Sequence, residues 1–202
     1  MTTTKDYSII NHKFDERLED MLNKHNKVLY FRLDSRHDKD IPHDKTNRHF
    51  RNLMKNLKEP LTRDGIEMQY VWCREKKTSE NPHYHLAALV DGSRVQQAHG
   101  ILLDANKIWK NITGSSKEGL IDFCNHVDGK KVPPQVRIDR PSSKKDGEEL
   151  ARQEQKFEKK KAVVLKRAHY LGKDNQKGDV PSRVREHGAS LLPKSGKRSG
   201  KS

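Results

Sequence analysis

The chain has 202 residues, of which 31% are hydrophobic and 35% charged, and it carries a formal charge of +14. That length fits one modest domain with extensions, and the charge surplus favours a polyanionic partner, nucleic acid ahead of an anionic membrane surface. No run approaches the roughly 20 apolar residues of a membrane span. The opening MTTTKDYSII has no secretory apolar segment, and Cys73 and Cys124 read as reduced residues of a cytoplasmic protein rather than a disulfide or a zinc knuckle.

In chain order, residues 1–10 read as a loose terminus. Phe14, Leu18, Met21 and Leu22 recur at helical spacing within 11–26, an amphipathic helix in an N-terminal extension over 1–27. Residues 28–33 (VLYFRL) predict a strand that runs into a charged loop, 34–43. Asp44 is the expected cap of a second helix that buries Phe50, Leu53, Met54 and Leu57 and ends at Pro60. Ile66–Glu75 and His83–Val90 predict two strands joined by a polar turn and closed by Asp91-Gly92. Ser93 with Gln96 suggests a capping box for a third helix running to about Trp109, with Val95, Ala98, Leu102 and Ala105 inward. Leu120–Val127 predicts a further strand, 136–138 a short edge strand, and Glu148–Leu171 a long basic helix with Leu150, Phe157, Val164, Ala168 and Leu171 as its apolar stripe. Residues 174–202 read as a basic, mostly disordered tail in which 183–190 docks locally.

From residue 28 the order is β-α-β-β-α-β. It predicts an α+β domain over 28–173: a ferredoxin-like (split βαβ) antiparallel sheet with helices on one face. The other face would be open to a nucleic-acid strand.

Side chains alternate along a strand, so His83 and His85 share a face, as do Val71, Cys73 and Glu75. If Glu75 lies opposite His83, two imidazoles and a carboxylate make a three-ligand metal site with positions left for substrate or water. The chain has 11 histidines, so an H-x-H pair is cheap by itself. Its place at the mouth of an apolar strand, with a carboxylate ending the strand before, gives it weight. The donor set alone leaves the chemistry open, an iron-dependent oxygenase included.

A basic sheet and a tyrosine at a helix end point to phosphoryl transfer. A phenol becomes a useful nucleophile when a divalent ion polarises the phosphate and a lysine offsets the charge. Tyr170 and Lys173 stand one helical turn apart, and in-line attack by Tyr170 would leave a 5′-phosphotyrosine bond and a free 3′-hydroxyl. Arg32, Arg36, Arg74, Lys76 and Lys77 are candidate DNA contacts by their nearness to this site. The terminal Gly200-Lys201-Ser202 is no phosphate-binding loop, because the glycine required at position 195 is Ser195.

Taken together, Glu75, His83-Tyr84-His85 and Tyr170-Leu171-Gly172-Lys173 resemble the HUH endonuclease superfamily, in particular its single-tyrosine rolling-circle replication initiators. The context VWCRE…NPHYHLAALVDG, with the later AHYLGK and REHGAS, is similar to inovirus-type replication proteins of the YagK/YfjJ-like family, over roughly residues 28–190. The resemblance implies an HUH endonuclease fold, with Mg²⁺ or Mn²⁺ held by His83, His85 and Glu75. It implies Tyr170 as the nucleophile and Lys173 as its aid at the phosphate or metal. The substrate would be a single-stranded or hairpin origin, and a host helicase would unwind the DNA, since the sequence carries no helicase motor. A relaxase, a transposase and a non-catalytic DNA-binding regulator of a mobile element stay open as alternatives.

Overall fold

The structure is a computed structural model that describes residues 8–43, 45–75, 81–127, 129–172 and 181–192. Its elements are α1 (Ser8–Lys24), β1 (Lys27–Ser35), α2 (Arg48–Arg63), β2 (Met68–Glu75), β3 (His83–Asp91) and α3 (His99–Thr113). They continue with β4 (Ile121–Asp122), β5 (His126–Val127), β6 (Lys130–Lys131), β7 (Gln135–Asp139), α4 (Gly147–Ala168), a 3₁₀ turn (His169–Gly172) and β8 (His187–Ala189). No helix among the described residues is long and apolar enough to cross a membrane.

The fold is α+β. A six-stranded antiparallel sheet runs β4-β1-β3-β2-β8, and β7 joins β4 along the outer edge of β1. β1 and β2 therefore run parallel with β3 between them, the split βαβ arrangement of a ferredoxin-like, HUH-type sheet. The two crossover helices, α2 and α3, pack on one face through Phe50, Leu53, Leu57, Leu102, Ala105 and Trp109. The opposite face, expected to lie open, is covered over much of its length by the flanking helices. Phe14, Leu18 and Met21 of α1, and Val164 and Ala168 of α4, close over Val28, Tyr30, Val71, Ala87 and Leu89. The apolar stripes of these two flanking helices need a partner, and the sheet's second face supplies it.

The last sheet position departs from expectation. Leu120–Val127 is not one strand. Only Ile121 and Asp122 pair with β1, and then the Asp122 carboxylate accepts the Cys124 amide at 2.8 Å. Cys124 turns the chain at φ 49°, and His126–Val127 leaves to form a small hairpin with Lys130–Lys131. The vacated edge is taken by β7, longer than the expected 136–138, whose five residues face Lys27–Phe31.

Three helix boundaries also shift. α2 continues through Pro60 and stops where Gly65 adopts φ +69°, because a proline removes only one donor near a helix end. Its N-cap position is Asn47, while Asp44 lies outside the described residues. α3 begins at His99 rather than Ser93, whose amide is bound by the Asp91 carboxylate in a turn at 2.8 Å. The expected helix to Leu171 ends at Ala168 and tightens into the 3₁₀ turn.

Candidate active site

Three neighbouring strands change character at the same level of the α1/α4-covered face. Along β1, buried Val28 and Tyr30 give way to Arg32 and Asp34; along β2, Val71 and Cys73 give way to Glu75; along β3, Leu89 and Ala87 give way to His85 and His83. The register lines these changes up. Arg32 faces Ala87 and Asp34 faces His85 across β1 and β3, while Cys73 faces His85 and Glu75 faces His83 across β2 and β3. The expected pairing of Glu75 with His83 is present. Period-two alternation does the rest, gathering the polar side chains at one end of the face.

His85 sits at the centre. Its Nε2 lies 2.8 Å from a Glu75 carboxylate oxygen, and its Nδ1 lies 2.7 Å from an Asp34 oxygen. Burial opposes charge on this imidazole, yet hydrogen bonds to Asp34 and then Glu75 raise its pKa above the ordinary histidine value. Asp34 is buried too, but its bonds with His85 and Arg32 hold its pKa down to about 2. Arg32 grips Asp34 with two nitrogens, at 3.1 and 3.0 Å. His83 is half-buried at the rim. Burial, then the positive charges of Arg36 and His85, hold its pKa below the usual value, so it is a neutral donor at pH 7.

Tyr170 reaches this cluster from the far end of α4. The Arg32 guanidinium lies over its ring at 4.3 Å, and its ring centroid stands 6.4 Å from that of His85, edge to face. The 3₁₀ turn that carries it is anchored at each neighbouring position. The His169 imidazole lies 2.7 Å from the Asp15 carboxylate of α1, Leu171 is fully buried, and Gly172 presses on the Asn11 side chain where a Cβ would have no room. His169 is therefore an anchor between the 3₁₀ turn and α1.

The DNA-contact candidates divide. Arg36 is exposed beside His83. Arg32 belongs to the polar cluster. Arg74 is 1% exposed, with its guanidinium donating to Asn47 Oδ1 at 3.1 Å, so it braces the start of α2 and is not placed to meet a strand. Asn47 also accepts the Tyr84 hydroxyl at 3.0 Å, which explains why its side chain does not cap α2. Lys76, Lys77 and Lys173 lie outside the described residues.

One residue of the cluster was not anticipated. Asp34 falls at the start of the expected loop, although its spacing of two from Arg32, itself two from Tyr30, places it on the same face. A carboxylate that accepts a hydrogen bond from a histidine nitrogen orients the ring, the usual support of a metal-ligating imidazole, and an Arg32 nitrogen adjoins the same Nδ1 at 3.2 Å. His85 Nε2 and a Glu75 carboxylate oxygen stand together at 2.8 Å, with neutral His83 beside them across from Glu75 in the strand register.

The profile of the YagK/YfjJ C-terminal domain family matches residues 2–190 of the chain. No curated protein matches it.

Proposed function

The chain belongs to the YagK/YfjJ C-terminal domain family, and from that premise we propose that it is a metal-dependent endonuclease that nicks and rejoins single-stranded DNA through Tyr170. Its role would be to start rolling-circle replication of a phage, prophage or plasmid-like element at a single-stranded or hairpin origin. The observation that supports this reading is the meeting of Tyr170 with His85, Glu75 and Arg32 at one polar end of the sheet. The basic balance of +14 suits a DNA substrate.

His83, His85 and Glu75 would hold Mg²⁺ or Mn²⁺, which when bound polarises the scissile phosphate. Asp34 orients His85 through Nδ1 and keeps Nε2 turned to Glu75. Arg32, held by Asp34 and lying over the Tyr170 ring, fixes the nucleophile's ring and places positive charge where a phosphate oxygen approaches. Tyr170 Oη attacks phosphorus in line as the bond to the 3′ oxygen breaks. The phenol proton is transferred, in net terms, to the departing 3′ oxygen. The phosphotyrosine bond keeps the energy of the broken diester, so attack by a 3′-hydroxyl reverses the step and rejoins the strand.

The test uses labelled single-stranded origin-like DNA with Mn²⁺, comparing wild type with Tyr170→Phe. Wild type should form a covalent protein–DNA adduct that chelator abolishes, and Tyr170→Phe should form none. An adduct that persists in Tyr170→Phe moves the nucleophile elsewhere. Metal-independent binding without cleavage across a broad origin panel makes the protein a non-catalytic DNA-binding regulator instead.

A further inference from the structure

Between His83 and His85, Tyr84 points to the opposite face of the sheet, and there it borders a second group of histidines. His37, from the segment after β1, His43, and His49, in the first turn of α2, each present a ring nitrogen, and these atoms lie within 4.8 Å of one another. The rings pack closely: His37 and His43 centroids are 3.8 Å apart, His43 and His49 5.1 Å. Trp109 of α3 walls the group 4.9 Å from His37, and its indole N–H is anchored on the Arg36 carbonyl at 2.7 Å. The neighbouring carboxylate, Asp38, is turned away to Ser115 at 2.8 Å and Lys117 at 3.4 Å. The group therefore offers nitrogen donors alone.

We propose that His37, His43 and His49 form a three-imidazole site for a zinc-class transition-metal ion, separate from the Glu75–His85 cluster. Three observations carry it. His37 is buried, and its Nδ1–H donates to the Pro82 carbonyl at 3.1 Å, which fixes the tautomer and leaves Nε2 as a lone-pair donor, the outer-shell support that ligating histidines receive. That Nε2 lies 3.3 Å from His49 Nδ1, a long hydrogen bond but a natural edge for a tetrahedron: two nitrogens about 2.0–2.1 Å from zinc stand roughly 3.3 Å apart. Finally, an all-imidazole donor set suits Zn²⁺, Ni²⁺ or Cu²⁺, whereas Mg²⁺ and Ca²⁺ want oxygen.

Loading the site rearranges two protons or bonds. The proton shared by His49 and His37 must leave, and His43 must exchange the bond by which its Nδ1 accepts the Lys45 amide at 2.9 Å. The bound ion would tie the segment after β1 to the first turn of α2. Through His37 it would also hold the Pro82 carbonyl, the residue immediately before His83, and so fix the entrance of the strand bearing the first cluster. A fourth position is left for water.

The experiment uses the full chain, stripped with chelator and titrated with Zn²⁺, and with Co²⁺ as a visible-absorption reporter. Wild type should bind at least one equivalent of Zn²⁺, and one equivalent should remain in His85→Ala. The half-buried ligands are replaced separately: His43→Ala and His49→Gln should each weaken zinc binding by at least about 10-fold, with the far-ultraviolet dichroism unchanged. Co²⁺ should give intense tetrahedral bands in wild type and His85→Ala, and lose them in the two variants. Zinc affinity unmoved by His43→Ala and His49→Gln, zinc lost in His85→Ala, or no zinc binding at all would each overturn the site.

Discussion

Two histidine clusters flank β3, one on each face, and they are built to opposite electrical rules. On the α1/α4 side, His85 lies between two carboxylates, with Arg32 balancing Asp34 and Tyr170 lying under the guanidinium. On the α2/α3 side, His37, His43 and His49 sit among Trp109 and Tyr84, and Asp38 is turned away. The first cluster raises the pKa of its central histidine. The second lowers that of its own, with burial first and the neighbouring imidazoles adding to it, down to about 3. A mixed oxygen and nitrogen set with charge suits a hard, exchangeable cation and a phosphate; an all-nitrogen set suits a resident structural ion. The alternation of β3, His83-Tyr84-His85, is the hinge of this division.

The largest effect that would sharpen the contrast comes from His85→Ala. It removes the imidazole that Asp34 and Glu75 orient, and Mn²⁺-dependent adduct formation should fall by more than about 100-fold. Undiminished adduct in a timed single-turnover assay would break the assignment of the first cluster as the reacting one.

Asp34→Asn is the subtler cut. It keeps the shape of the side chain but frees the His85 ring, and outer-shell partners of this kind are worth about 10–100-fold in metal affinity or activity. The Mn²⁺ concentration giving half-maximal nicking should therefore rise by that order, while zinc binding at the second cluster stays as in wild type. A normal Mn²⁺ requirement would mean that Asp34 only neutralises Arg32.

The first cluster was largely legible in the sequence because it rests on period two. Glu75 follows apolar residues at spacing two, His83 and His85 precede them at the same spacing, and one register brings them level. Asp34 obeys the same rule and was missed because the strand was ended at Leu33, one residue short of it. Tyr170 could be placed at a helix end but not against Arg32, since that contact depends on how α1 and α4 settle over the sheet. Apolar stripes announce that those helices are buried without saying which face receives them. The second cluster follows neither a strand nor a helix period. His37, His43 and His49 recur at spacing six across a loop and a helix start, and tertiary packing alone joins them. Arg74 differs from expectation for a related reason: an arginine beside a candidate metal-ligand carboxylate reads as a phosphate contact until Asn47, from a distant segment, is seen to hold it.

The smallest predicted effect tests the neutrality of His37 in the second cluster, in chain stripped of metal by chelator. His37 has a folded pKa near 3, against about 6.5 in the unfolded chain. Above pH 6.5 both states carry it neutral and it adds no pH dependence. Below that, the unfolded chain takes up a proton that the folded chain refuses, so stability falls as pH drops from 6.5 toward 3. His43, His49 and His83 are the titratable groups that face it, and their positive charge would make the refusal stronger. Between pH 7 and pH 5 the loss attributable to His37 is about 2 kcal/mol. Urea unfolding of wild type and His37→Phe at both pH values isolates it, because phenylalanine keeps a ring against Trp109 and has no proton to gain. The variant should be less stable at pH 7, having lost the bond to Pro82, yet should lose about 2 kcal/mol less on acidification. Equal slopes in the two chains would show that His37 takes its proton as freely folded as unfolded, and the neutral half of the comparison would fall.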